Sequence, residues 1–367
     1  MGKNLKNIAV IICFVSVLAG MTAANIIKAD ADLSYSERRK LAVLPQYSFQ
    51  KLISGDLFEE FEKYSLDQFV LRDGFRSLKA VGTYYLFRKA DNNDIYVVDG
   101  HISKILYPMN EKSVANMAKK LNDIYERYLK GMNVYYSVIP DKNYFLAAEY
   151  GYPQIDYGRM IGILGRQITD MDYIDLFDSL SIDDYYKTDI HWSQDRIIDA
   201  ANKLLDRMGT GVRISKSQFS EKELYPFYGS YAGQYALGAA PDKLVYLTNE
   251  MLEKAVVYDH EKRTQTSVYV PDRFTGMDPY DVFLSGAKAL LEITNPENPD
   301  GRELILFRDS FGSSIAPLLL AGYSKITLVD LRYISSEILG KYIDFSENQD
   351  VLFLYNTMII NNSYMLK

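Results

Sequence analysis

The chain contains one cysteine, one tryptophan and three histidines in 367 residues. Each scarcity excludes something. The single cysteine, Cys13, lies inside an apolar N-terminal run, so the remainder has no thiol, no disulfide and no Cys-based catalyst or zinc site. Three scattered histidines, His101, His191 and His260, form no ligand cluster at metal spacing, so no metal site and no cofactor are expected, and a metal-dependent hydrolase is disfavoured. Positive charge is also short. The net charge of −7 and the lack of a clustered Lys/Arg stripe argue against a nucleic-acid partner.

What the chain does have is apolar material and tyrosine. Hydrophobic residues make up 48%, ample for a core, and there are 31 tyrosines. Tyrosine suits sugar-facing surfaces and also serves as an ordinary strand residue. Residues 8–27 run without a charge, preceded by Lys3 and Lys6. That length spans a bilayer with the positive flank inside, so residues 1–30 read as a signal anchor, with a cleaved signal peptide as the alternative. The protein is therefore expected outside the cytoplasm, anchored by this helix, or secreted if the segment is cleaved.

Residues 31–46 read as a polar linker, and 47–367 as one domain. Ser48 to about Lys89 has helical spacing, with Asp56 and Asp67 as cap candidates. Asp94–Leu106 alternates around Asp99-Gly100 and predicts a β-hairpin. His101 beside that turn reads as a turn residue, and His260 between Asp259 and Glu261 as part of a solvated charge cluster. Lys112–Lys130 predicts a helix, Asn133–Ile139 a strand, Tyr157–Gln167 a helix and Tyr173–Leu176 a strand. Residues 222–296 carry short alternating segments and predict a small antiparallel insertion. Strand and helix then alternate: Leu304–Phe307, Ser313–Leu320, Lys325–Val329, Ser335–Leu339 and Val351–Tyr355. That alternation predicts a parallel sheet covered on both faces.

Two short stretches carry chemistry. In Lys187–Thr188–Asp189–Ile190–His191–Trp192, an extended backbone places Asp189 and His191 on one face, as a carboxylate that orients a proton-accepting imidazole. Ser193 reads as the N-cap of the following helix. In Glu303–Gly312, an apolar strand ends at Asp309-Ser310 and a helix starts almost at once. Ser310 would then stand at the carboxyl end of a parallel strand, where open α/β sheets place their sites. The N–H groups of Phe311 and Gly312 would face a developing oxyanion. A capping Asp with a surface His, and Asp309 or Ser310 as a plain helix cap, are the alternatives.

Together these stretches, Thr188–Trp192 and Arg308–Gly312, resemble the DHHW proteins, which are similar to the SGNH-like alginate O-acetylation proteins. The resemblance extends to Ser36-Glu37-Arg38-Arg39, Asp67-Gln68-Phe69, Arg72-Asp73, Pro140-Asp141-Lys142 and Asp330-Leu331-Arg332-Tyr333. It implies an SGNH-hydrolase-like three-layer α/β/α fold, with Ser310 as nucleophile, His191 as general base and Asp189 as its orienting carboxylate. It further implies O-acetyl transfer, or acetyl-ester hydrolysis, on a cell-surface or exported polysaccharide, with a multi-spanning membrane O-acyltransferase as partner. Ile190 replaces the first histidine of the family motif. SGNH enzymes also use a Gly and an Asn as oxyanion donors. Gly229 and Gly286 are candidates for the former, and no Asn is assigned. Arg332, Tyr333, Lys142 and Tyr228 are candidate substrate contacts. The second reading is a non-catalytic, membrane-anchored glycan-binding or assembly protein.

Overall fold

The computed structural model describes residues 2–367, with side chains from Asn4 onward. The chain divides into two compact units, residues 2–92 with 233–238, and residues 93–232 with 239–367.

The larger unit is built on an eight-stranded sheet. Its strands in chain order are β1 (Asn133–Ile139), β2 (Asp172–Asp175), β3 (Val256–Asp259), β4 (Thr264–Ser267), β5 (Leu290–Thr294), β6 (Glu303–Arg308), β7 (Lys325–Val329) and β8 (Gln349–Asn356). The spatial order is β4-β3-β5-β7-β6-β8-β1-β2. From β7 to β2 all neighbours are parallel. The edge β5-β3-β4 runs antiparallel.

Period-two alternation sorts the core. Leu304, Leu306, Leu352 and Leu354 face one way, toward helices Ile198–Arg207 and Gly312–Leu319. Ile305, Phe307, Val351 and Phe353 face the other way, toward helices Glu111–Ile124 and Tyr157–Gln167. Both faces are thus covered, which gives the three-layer α/β/α architecture. Each fully buried aliphatic or aromatic side chain contributes about 1.5–3 kcal/mol, so two continuous clusters fix this unit firmly. The Asp99-Gly100 turn joins Ile95–Val98 to His101–Lys104, with both turn residues at positive φ, as a type I′ hairpin needs.

The predicted antiparallel insertion is present, and its separate part is smaller than the expected 222–296. Only Ser220–Phe227 and Asp242–Thr248 form a separate hairpin. The later alternating segments, β3 to β5, hydrogen-bond onto β7 and extend the central sheet instead.

The smaller unit begins with helix Gly2–Ile27, in which the stretch Asn4–Ile27 contains an 18-residue window of mean hydropathy 2.3 and is long and apolar enough to cross a membrane. The region expected as one helical run is three helices, Phe49–Ser54, Asp56–Asp67 and Arg72–Val81, followed by a π-turn over Gly82–Leu86. The breaks fall at Gly55, with φ +89°, and at Gln68–Leu71, where Leu71 has φ +56°. Asp67 caps nothing. It closes its helix and pairs with Arg39 at 2.5 Å. Residues 31–46 include the short antiparallel pair Leu33–Ser34 and Arg39–Lys40.

Candidate active site

The segment carrying Asp189 and His191 is a compact loop, not an extended one. A bridge between Tyr185 and Trp192 and a hydrogen bond from the Tyr186 N–H to the His191 carbonyl close it. Asp189 then makes an Asx turn, its Oδ1 accepting the His191 backbone N–H at 3.0 Å. The same oxygen lies 2.5 Å from His191 Nδ1, while Oδ2 accepts the Ser230 N–H at 2.6 Å. A fully buried carboxylate with three such partners holds one orientation. Ile190, in place of the family's histidine, packs against the core cluster that holds Leu304 and Leu306.

On the other side of His191, Nε2 lies 2.8 Å from Ser310 Oγ. Ser310 follows β6 by two residues and is half-buried, so its hydroxyl can be approached. Asp309 sets the turn. Its Oδ1 accepts the Phe311 N–H at 2.9 Å, and its Oδ2 accepts the Asn356 N–H at the end of β8 at 2.7 Å. Burial pushes the Asp309 carboxyl above its ordinary range. The imidazole is held face-on by Tyr280, with ring centroids 3.9 Å apart and planes within 7°. Tyr280 Oη and Trp192 Nε1 both donate to Ser314 Oγ, at 2.7 and 2.8 Å, tying the histidine loop to the helix behind the nucleophile.

The oxyanion candidates are engaged elsewhere. The Phe311 N–H is taken by the Asp309 carboxylate and the Gly312 N–H by the Asp309 carbonyl at 3.1 Å. Gly312 is glycine because a Cβ there would lie 2.5 Å from the Arg308 Cβ. The Gly229 N–H donates to Thr188 Oγ1 at 2.9 Å, and a Cβ on Gly229 would stand 2.3 Å from the Cα and Cβ of Asp189. Gly229 therefore braces the carboxylate by close approach. Gly286 has φ +90° in a turn, and its N–H donates to the Phe283 carbonyl. Of the three amides on the nucleophile turn, Ser310's own is the one Asp309 does not engage.

Lys142, a candidate substrate contact, is buried. Its ammonium donates to the carbonyls of Ile102, Tyr186, Lys187 and Asp189 at 2.6–3.2 Å, clamping the loop that carries Asp189. Burial pushes this lysine down to about 7, with Asp189 and Asp242 opposing. Arg332 is spent on a bidentate pair with Asp330, at 2.9 and 2.6 Å, and lies over the Tyr333 ring at 5.5 Å. Tyr333 is exposed and lines a cleft of about 710 Å³ with His260, Arg263, Lys288 and Tyr342. Ser310, His191 and Asp189 do not line that cleft. Tyr228 is exposed. His101 is buried in its hairpin, and burial with nearby Lys142 pushes it down to about 4. His260 Nε2 lies 3.4 Å from Glu292 Oε2.

Sequence reasoning missed Tyr280, Ser314, Ser230 and the bridging role of Asp309. Only Asp309 carried a local signal, its place beside Ser310. The others come from separate blocks with no periodic signature.

The DHHW protein family's sequence model matches residues 159–329, a stretch that includes Asp189, His191 and Ser310. No curated protein matches the sequence. Among solved structures, a DHHW family protein from Eubacterium siraeum DSM 15702 is 21% identical with a TM-score of 0.63, covering 75% of this chain and 94% of that one. PatB1 from Bacillus cereus is 17% identical with a TM-score of 0.59, covering 73% and 97%. PatB1 has also been solved with a sulfonyl adduct. The O-acetyltransferase domain of Pseudomonas putida AlgJ is 13% identical with a TM-score of 0.44, covering 74% and 93%. The DHHW resemblance read from the two motifs stands, and the first two structures share the fold.

Proposed function

We propose that this protein is a serine-dependent O-acetyltransferase or acetylesterase acting on a cell-surface or exported polysaccharide. The observation that carries the reading is the unbroken relay from buried Asp189 through His191 to Ser310, at 2.5 and 2.8 Å. Ser310 Oγ attacks the acetyl carbonyl while His191 Nε2 takes the hydroxyl proton, and Asp189 holds the Nδ1–H and stabilises the imidazolium. The tetrahedral intermediate collapses as His191 returns the proton to the departing alkoxide, leaving acetyl-Ser310. A sugar hydroxyl, or water, then attacks with His191 again as base, and Ser310 is regenerated.

The Ser310 N–H at the helix N-terminus is the oxyanion donor in this scheme. The domain works outside the cytoplasm, held at the membrane by helix Gly2–Ile27. The acetyl donor comes from a multi-spanning membrane O-acyltransferase. One observation favours a second, non-catalytic glycan-binding reading: Phe311, Gly312, Gly229 and Gly286 all have engaged amides.

The test is p-nitrophenyl acetate turnover by the full chain in detergent, compared with Ser310→Ala and His191→Ala. Nitrophenol release that depends on both residues supports acyl chemistry, and added oligosaccharide acceptors then separate transfer from hydrolysis. Equal background in all three proteins would leave the binding reading in front.

A further inference from the structure

In residues 2–92 several ion-paired side chains are mostly covered, while many large apolar side chains are exposed. Arg72 pairs with Glu37 at 2.7 Å, Arg76 with the same Glu37 at 3.3 Å, and Arg39 with Asp67 at 2.5 Å. The Glu37, Asp67, Arg72 and Arg76 side chains are only 11–21% exposed. Arg39 holds the Asp67 carboxyl down at about 2. Meanwhile Phe58, Phe61, Leu66, Leu78, Leu86 and Phe87 are each more than half exposed. Neither hydrophobic core cluster contains a residue from this unit. Water is a poor neighbour for so many large apolar side chains on one short run of helices.

The unit also fixes where that surface lies. A 24-residue span rises about 36 Å, slightly more than the roughly 30 Å hydrocarbon core, so the end of helix Gly2–Ile27 reaches headgroup level. There the helices are stitched to it. Asn25 Oδ1 accepts the Val70 N–H at 2.7 Å, and Lys28 Nζ donates to the Gln68 carbonyl at 3.3 Å. The Gln68 amide both donates to and accepts from the Ala31 backbone at 2.9 Å, and Tyr64 Oη donates to Asp30 at 3.1 Å. With Gly2–Ile27 crossing the bilayer, as in the function proposed above, these bonds place the junction between helices Asp56–Asp67 and Arg72–Val81 at the membrane surface.

We infer that residues 49–87 form an interfacial collar, seating the apolar faces of these helices in the headgroup and acyl boundary of the bilayer that Gly2–Ile27 crosses. Amphipathic helices rich in Phe and Leu bind this zone. The occupant is lipid. Its consequence is rotational: the unit is fixed to the membrane by a surface as well as by a single span.

The test uses the full chain in liposomes of phosphatidylethanolamine and phosphatidylglycerol. In a Cys13→Ser background, single cysteines replace Phe61, Leu78, Leu86 or, as a control, the exposed Lys119, and each carries a nitroxide. The collar predicts that the first three labels collide more often with dissolved oxygen than with a water-soluble nickel chelate, and that Lys119 does the reverse. Water-like behaviour at all three overturns it. So does protection from both reagents, which would mean a second copy or another protein covers the face. The readout concerns residues 2–92 alone and holds whether or not Ser310 is acylated.

Discussion

The two units use the same residue types in opposite ways. In the larger, Leu304, Phe307 and Phe353 are fully buried between helices, and the charged groups inside, such as Lys142 and Asp189, are each bound by several partners. In the smaller, Phe58, Phe61, Leu66 and Leu78 lie outside, while the paired Glu37, Asp67, Arg72 and Arg76 side chains are mostly covered. The larger unit can therefore hold the Asp189–His191–Ser310 geometry by its own packing. The smaller has little packing of its own and takes its definition from ion pairs, hydrogen bonds and the helix at its start.

The largest expected effects belong to the relay. Ser310→Ala or His191→Ala is expected to lower kcat for ester turnover by about 10⁴-fold or more, and Asp189→Asn by about 10⁴-fold, with little change in melting temperature for Ser310→Ala. Steady-state kinetics beside thermal melts measures this, and a change in both together would mean the residues serve the fold. Next comes Lys142→Met, which leaves buried carbonyls without a donor and is expected to cost about 3 kcal/mol or more in denaturant unfolding. Gly229→Ala is expected to cost about 1–3 kcal/mol and to depress kcat, because the new methyl collides with Asp189. The contrast sharpens with Asp67→Asn. Its partner Arg39 is 41% exposed, so the loss should stay within about 1 kcal/mol.

Acid should separate the units. His101 titrates near 6.5 when unfolded and is held at about 4 in the fold, so between these values the unfolded chain binds more protons. Its contribution is complete above 6.5 and is lost as pH falls toward 4. Asp67 goes from 3.8 unfolded to about 2 folded, so its contribution is present above 3.8 and is lost as pH falls toward 2. Melting curves across this range should show His101→Gln flattening the upper window and Asp67→Asn the lower. One shared window would break the comparison.

Much of the larger unit was legible in the sequence because its strands are short apolar runs bounded by turn residues. Asn133–Ile139, Tyr157–Gln167 and Lys325–Val329 fall where the pattern placed them. The extent of the insertion was not legible because alternation reports a half-buried strand and not its neighbour. Nothing local tells β5 to pair with β7, 35 residues along the chain. The Asp189–His191 pairing was anticipated through an extended backbone, yet an Asx turn produces it. The glycines looked like substrate-facing donors because close approach to a ligand and close approach to Asp189 or Arg308 demand the same residue. Lys142 was read as a candidate substrate contact because a single lysine between polar residues gives no sign of four converging carbonyls. The helices of residues 49–87 showed their apolar periodicity plainly, but periodicity does not say whether the apolar face meets protein or lipid.

The measurement closest to the central claim is intact-mass analysis of the full chain after exposure to an aryl sulfonyl fluoride, followed by peptide mapping. The account predicts one adduct per chain, on Ser310, absent from Ser310→Ala and strongly slowed in His191→Ala. An adduct on another residue, or equal labelling of wild type and Ser310→Ala, would contradict it.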